Sequence, residues 1–325
     1  MTRVTHVSQD QINAAAQALR DGDLVAFPTE TVYGLGADAS NPAAVRKIFT
    51  AKGRPSNHPV IVHLEGVVQL SHWAREVPEV AWKLAEHFWP GPLTLVLPRA
   101  AQVSDAVTGG QDTIAMRVPS HPVAQQLLRA FGGGIAAPSA NRYGRLSPTR
   151  AEHVRAELGE TVRVILDGGE CLVGLESTIV AVESDTLRLL RPGAVTESQL
   201  RGFTSRVEVG AAAASPRVPG STLSHYAPTT PVSLADDIDA RAAALSNGGR
   251  VAVLALRPPV KPCSGVLWVN AGDEPRQYAR NLYANLRALD LAGCDRILVQ
   301  SVPRGEPWDA IRDRLARAAA DTTRS

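Results

Sequence analysis

The sequence predicts an α/β fold in two parts, a larger mixed sheet with helices followed by a smaller open sheet. Three observations lead there. Helical and strand patterns alternate from about residue 7 to 205. The strands among them are of both continuous and alternating apolar type, which argues for a mixed sheet. After a stretch broken by Pro and Gly, the alternation resumes with a regularity that predicts parallel strands joined by helices.

Residues 9–19 have the apolar spacing of an amphipathic helix, with Ser8 as N-cap and Gln11 as its capping-box partner. Gly22 and Asp23 break it, and residues 24–27 form a short apolar strand ended by Pro28. Residues 41–51 read as a helix capped by Asn41, with Pro42 in its first turn. Strands are expected at 59–64, 93–97, 134–137 and 162–166, with a helix at 123–130. Between about 206 and 229 large apolar residues become scarce, which marks a linker. Beyond it, helices at 237–245, 277–289 and 308–320 alternate with strands at 251–256 and 296–299.

Composition narrows the function. The chain has 325 residues, enough for about two domains with cores of their own. Charged residues make up 20% and hydrophobic ones 44%, which excludes a disordered chain or a coiled coil. The formal charge is +2, with 21 basic and 21 acidic side chains in 1–229, so any anion site must be local. Only four of the 34 basic residues are lysine (Lys47, Lys52, Lys83 and Lys261), and a lysine kept against such an arginine bias draws attention. The three cysteines are far apart and form no CxxC pair, so neither a disulfide framework nor a cysteine zinc site is expected. The first residues lack the apolar core of a signal peptide, and no apolar run approaches 18 residues. A cytoplasmic protein without a membrane span is expected.

Chemistry concentrates in a few segments. In residues 27–36, FPTETVYGLG, a strand hands over to a loop of hydroxyls, and Gly34 and Gly36 allow close backbone approach to a ligand. Lys52-Gly53-Arg54 sets two cations just after a helix, a spacing that suits polyphosphate oxygens, although a solvated charged turn is the plainer explanation of such a triplet alone. Arg117 lies within an apolar strand, where a buried guanidinium requires an anionic partner: a ligand or a structural carboxylate. Residues 137–149 form a polar loop in which Ser139, Asn141 and Ser147 can donate to phosphate or ribose. The segments GLESTIV (174–180) and LRPG (190–193) each set a polar group at a strand edge. No GxxxxGK[ST], GxGxxG, HExxH or GxSxG pattern occurs. His58 and His63 have no further metal-ligand cluster beside them.

The order PTETVYGLG, KGRP, HPVIVHL, TIAMRVPSHP, APSAN, SPT, GLESTIV and LRPG resembles the threonylcarbamoyl-AMP synthase family of YrdC-like proteins over about residues 7–205. The SHYAP segment at 224–228 and the part after it resemble the longer, two-domain branch. The resemblance implies a YrdC-like twisted mixed sheet at 1–205, a linker or lid at 206–229 and a Rossmann-like open α/β domain at 230–325. It implies synthesis of threonylcarbamoyl-AMP and pyrophosphate from L-threonine, bicarbonate and ATP, with Mg2+. The product would serve a downstream transfer complex that modifies tRNA beside the anticodon, with weak tRNA contact as an added expectation. Thr31, His63, Arg117, Ser177 and the backbone of Ala137 match the family's threonine positions. Lys52, Arg54, His58, Thr113, Ser139, Ser147 and Arg191 match its nucleotide positions, with Lys52 and Arg54 carrying the catalysis, and Tyr226 joins the nucleotide group only as part of a lid that brings its ring or hydroxyl there. His58 stands where the family often has Asn. An RNA-binding protein without synthase activity is the alternative, and ATP-dependent pyrophosphate release without RNA separates the two. Tyr226 is expected in a lid over the site; packing against the C-terminal domain is the other reading.

Overall fold

The N-terminal helix forms as its caps dictate. In the computed structural model, which describes residues 7–210, 212, 215–220 and 226–320, α1 (Gln9–Arg20) starts at Ser8, whose hydroxyl accepts from the Gln11 amide while the Gln11 side chain accepts from the Ser8 amide. There follow β1 (Val25–Phe27), β2 (Gly34–Asp38), α2 (Pro42–Lys52), β3 (Ile61–His63), α3 (Leu70–Trp73), α4 (Glu79–Phe88), β4 (Leu93–Pro98), α5 (Asp105–Thr108) and β5 (Thr113–Arg117). Next come α6 (Pro122–Phe131), β6 (Ile135–Ala136), α7 (Ala151–Leu158), β7 (Val164–Ile165), β8 (Thr178–Glu183), β9 (Thr186–Arg191), α8 (Glu197–Arg201) and β10 (Val207–Val209). These strands form one mixed sheet in the order β10-β9-β8-β4-β5-β3-β6-β2-β1-β7.

Period-2 alternation assigns the two faces. Leu95, Ile114, Met116, Val62 and Ala136 point to the main core, which α2 and α4 close with Val45, Ile48, Ala81 and Leu84. On the other face, α1 and α6 cover one end, packing Leu19 and Leu128 on Val25, Phe27 and Ile135. A smaller cluster of Ile61, Val96, Ala115, Ile179 and Ala181 lies farther along that face, with Val218 packed on it.

The chain divides into two units. The first holds residues 1–143, 148–172 and 176–221, and the second 144–147, 173–175 and 222–325. The linker expected from residue 206 therefore starts too early. Residues 207–209 are a strand paired parallel to β9, and residues 215–220 form a strap on the first unit. Their apolar residues are too few to show a strand pattern, and pairing with β9 supplies what propensity does not.

The second unit contains β11 (Val232–Ala235), α9 (Ile238–Ser246), β12 (Val251–Ala255), β13 (Val266–Asn270), α10 (Pro275–Asp290), β14 (Arg296–Gln300) and α11 (Asp309–Ala318). Its four strands are all parallel, in the order β11-β14-β12-β13, as the alternation predicts. Among the described residues no helix is long and apolar enough to cross a membrane.

Candidate active site

Between the two covered ends, the second face of the large sheet turns polar. His63 pairs with Arg117 across β3 and β5, Thr94 with Ile179 across β4 and β8, and Ser177 immediately precedes β8. Alternation puts His63, Thr94 and Arg117 on the same side as Ile61, Val96 and Ala115, away from the main core. Gly34 and Gly36 lie beside this strip and have a packing reason of their own. A Cβ at Gly36 would come within 2.8 Å of both Ile135 and Phe27, so the glycines make room for the Phe27 ring. That ring meets His63 edge-on at 5.9 Å.

Arg117 is 3% exposed and held in place by its own chain. Its Nε donates to the Gly91 carbonyl at 3.1 Å, Nη1 donates to Thr31 Oγ1 at 2.8 Å, and Nη2 lies 2.6 Å from Glu30 Oε1. The structural carboxylate left open by the sequence is thus Glu30, whose other oxygen accepts from the Ser120 amide. A guanidinium has five N–H donors. Two are spent in hydrogen bonds here, from Nε and Nη1, while Nη2 faces Glu30 as an ion pair, so donors on the terminal nitrogens remain for a further acceptor. Thr31 is held by Thr29, the two hydroxyls lying 2.8 Å apart. His63 is neutral: burial first and the Arg117 charge second push it down to about 3.

Ser177 is placed by Thr94 and Arg191. Its hydroxyl lies 2.7 Å from the Thr94 hydroxyl and accepts from Arg191 Nη2 at 3.1 Å, while its carbonyl accepts from Arg191 Nε at 3.0 Å. Arg191 Nη1 reaches the Pro219 carbonyl of the strap at 2.9 Å. Gln111 fastens the strap further, donating to the Arg217 carbonyl and accepting from the Arg217 amide.

The end of α2 builds a second cationic group. Gly53 takes the left-handed conformation (φ 63°) that stops the helix, and its amide and that of Arg54 both return to the Phe49 carbonyl. Lys52 and Arg54 are both buried. Lys52 Nζ donates to the Ser139 and Asn141 carbonyls, leaving one ammonium hydrogen unspent. Burial above all, then Arg54, pulls its proton affinity well below the ordinary lysine value. Arg54 donates to the Pro59 carbonyl at 2.8 Å and lies over the Phe49 ring. His58 packs edge-on against Tyr143 and is lowered by burial, Arg54 and Arg217. The Lys-Gly-Arg triplet is therefore a built feature and not a solvated turn.

The remaining expected positions scatter. Ala137 joins the strip through its amide, which donates to the Ile61 carbonyl. Thr113 starts β5, four residues or about 13 Å along the strand from Arg117. Ser147 is buried and belongs to the second unit. Ser224 and His225 of the expected lid lie outside the described residues. Tyr226 belongs to the second unit and is 1% exposed, its ring 5.9 Å from Tyr283 and under the Arg314 guanidinium at 5.3 Å. It adopts φ 60°, a strained conformation for a bulky side chain, while the next amide donates to the Gly144 carbonyl. A lid with a free ring at Tyr226 does not fit this packing.

Sequence reasoning missed Glu30, Thr94 and Arg217. Only Glu30 carried a signal, as the one charge in an otherwise small and hydroxylic loop. Among the described residues no group of three or more His, Cys, Asp or Glu could hold a metal ion, and Glu30 is committed to Arg117 and Ser120. Among the described residues, then, side chains alone do not make a magnesium cage.

Two family models cover nearly the whole chain, "Telomere recombination" over residues 17–193 and "Threonylcarbamoyl-AMP synthase, C-terminal domain" over 194–320. The threonylcarbamoyl-AMP synthase of Bacillus subtilis is 41% identical over 95% of this chain and 93% of its own length. The chain belongs to the threonylcarbamoyl-AMP synthase family. The synthase of Schizosaccharomyces pombe is 37% identical over 96% of this chain and 89% of its own. Among solved structures, Sua5 of Pyrococcus abyssi complexed with L-threonine superposes with a TM-score of 0.89 at 38% identity, covering 97% of this chain and 95% of that one. The likeness to this synthase family thus extends through both units.

Proposed function

We propose that the protein is a synthase that makes threonylcarbamoyl-AMP and pyrophosphate from L-threonine, bicarbonate and ATP, for threonylcarbamoyladenosine in tRNA. One observation carries the reading: a single unit holds both a buried guanidinium beside a threonine hydroxyl and a lysine–arginine helix end. The first suits an amino-acid carboxylate, the second a polyphosphate.

In this reading the terminal nitrogens of Arg117 take the threonine carboxylate, and Thr31, Ser177 and neutral His63 surround its side chain and amine. Ala137 contributes backbone. Lys52, Arg54, His58, Thr113, Ser139 and Arg191 take the nucleotide. Ser147 and Tyr226, in the second unit, are nucleotide candidates to be tested by separate substitutions. The threonine amine adds to CO2 and gives up a proton to solvent, or condenses with bicarbonate with loss of water, to give a carbamate. A carbamate oxygen then forms a bond to the α-phosphorus as the bond from that phosphorus to the β-phosphate bridge breaks, and pyrophosphate leaves with the electron pair. Charge grows on phosphate oxygens, where the last Lys52 hydrogen and the Arg54 fork stabilise it. Mg2+ would arrive on the nucleotide's own oxygens and neutralise part of their charge.

The test is to incubate the pure protein with ATP, bicarbonate and threonine and to measure pyrophosphate and the acyl-adenylate by mass spectrometry. Threonine-dependent release of both without RNA is expected. Serine should react less well by the worth of one methyl, about 1–3 kcal/mol, and valine worse, because it leaves hydroxyl-reading groups unpaired. RNA binding without pyrophosphate release would replace this reading with the RNA-binding alternative.

A further inference from the structure

At the β7 edge of the large sheet, far from the strap in strand order, α1, α2 and residues 161–164 border a cleft of about 660 Å3. Arg46, Lys47 and Arg163 line it, with Asp23 as its one acidic lining residue. The excess of two positive charges equals the formal charge of the entire 325-residue chain, so the cleft is not average surface. Lys47 is one of the four lysines, and its ammonium donates to the Gly22 carbonyl at 2.7 Å and to Asp23 at 3.1 Å. Arg46 and Arg163, both exposed, have no ion pair and no side-chain hydrogen bond among the described residues. Leu24, Ala51 and Val164 supply aliphatic lining, and Thr161 adds a hydroxyl, that of Thr50 donating to the Arg46 carbonyl.

We propose that this cleft binds a small organic phosphate. A carboxylate is satisfied by one guanidinium fork, whereas two uncompensated forks beside the Thr161 hydroxyl suit the three oxygens and double charge of a phosphate ester. The aliphatic lining takes the carbon body, which free phosphate lacks. Five of the lining residues, Ala43, Arg46, Lys47, Thr50 and Ala51, belong to α2, the helix that ends at Lys52. An occupant therefore holds the outer side of the same helix whose end carries the phosphate-binding cations.

Calorimetric titration of the full-length protein with ribose 5-phosphate tests this. Wild type and Lys52→Ala should bind it alike, which separates the cleft from the active site. The Arg46→Ser/Arg163→Ser double variant should bind at least tenfold more weakly, yet keep its thermal unfolding temperature and its threonine-dependent pyrophosphate release. Absence of binding, or equal binding by the double variant, overturns the proposal. Inorganic phosphate bound as tightly as the sugar phosphate would mean an adventitious ion only. A double variant that loses tRNA affinity while sugar phosphate never binds would make the cleft an RNA surface and overturn the proposal as well.

Discussion

A guanidinium as buried as Arg117 needs a counter-charge even before any ligand arrives, and Glu30 is that charge. Glu30→Ala should therefore cost about 3–5 kcal/mol in denaturant unfolding, because an unpaired charge stays buried. Glu30→Gln, which keeps an acceptor for the Ser120 amide, should cost less. The ordering of the two losses checks the pairing. His63 makes a second prediction. Unfolded, an imidazole titrates near ~6.5; folded, burial and Arg117 hold it down to about 3. Between those values the unfolded chain binds a proton that the folded chain does not. Stability from this group is complete above pH ~6.5 and falls by about 1.4 kcal/mol per unit as pH drops toward 3. His63→Gln removes that dependence, so its unfolding curve and that of the wild type should converge as pH falls from 7.5 to 4.5. Parallel curves would mean that the imidazole carries a proton in the fold.

At the scale of elements, the end of α2 depends on one left-handed residue. No atom lies within 4 Å of a Cβ built on Gly53, so the cost of Gly53→Ala is conformational, about 1 kcal/mol. The same change should re-aim Lys52 and Arg54 and weaken nucleotide binding, leaving threonine binding nearly unchanged. Gly53→Asn should be milder, because Asn tolerates the left-handed region. Calorimetry with each ligand separates these outcomes. The ends of α1 and α2 were legible because Ser8, Asn41 and Pro42 act within a few residues of themselves. The strand β2 was not: Gly34-Leu-Gly-Ala-Asp38 has no β-branched residue, and pairing with β1 and β6 on either side makes it a strand. The short β11 and the exposed-edge β13 of the second unit went unread because their sequences alternate weakly. The site divides in the same way. Lys52 and Arg54 announce themselves in a triplet, whereas the Thr31 partner of Arg117 lies 86 residues away, and no local pattern encodes such a distance.

For the whole molecule, the boundary of the first unit is the testable quantity. A fragment ending at 205 lacks β10 and the strap. It exposes the edge of β9 and uncovers the apolar cluster under Val218, and an open edge beside apolar surface invites aggregation. A fragment ending at 221 keeps both. The longer fragment should unfold at the higher temperature and stay monomeric in size-exclusion chromatography at concentrations where the shorter one does not. Equal behaviour would show that β10 and the strap contribute nothing to the sheet.

Arg117 and Glu30 together carry no net charge, and an amino acid at neutral pH is a zwitterion that carries none either. Exchange of partners at this pair leaves the charge of the protein as it was. The α2 end differs, for Arg54 and Arg217 act as cations on His58 and Lys52 stands beside Arg54, with the Glu157 carboxylate acting on Lys52. A polyphosphate approaching them is drawn in over the ~10 Å reach of electrostatics at ~0.1 M salt, and that reach shrinks as ions are added. Ionic strength therefore acts on one substrate and not the other. Raising potassium chloride should weaken nucleotide affinity steeply and leave threonine affinity nearly flat, which titration of each ligand across a salt series would read.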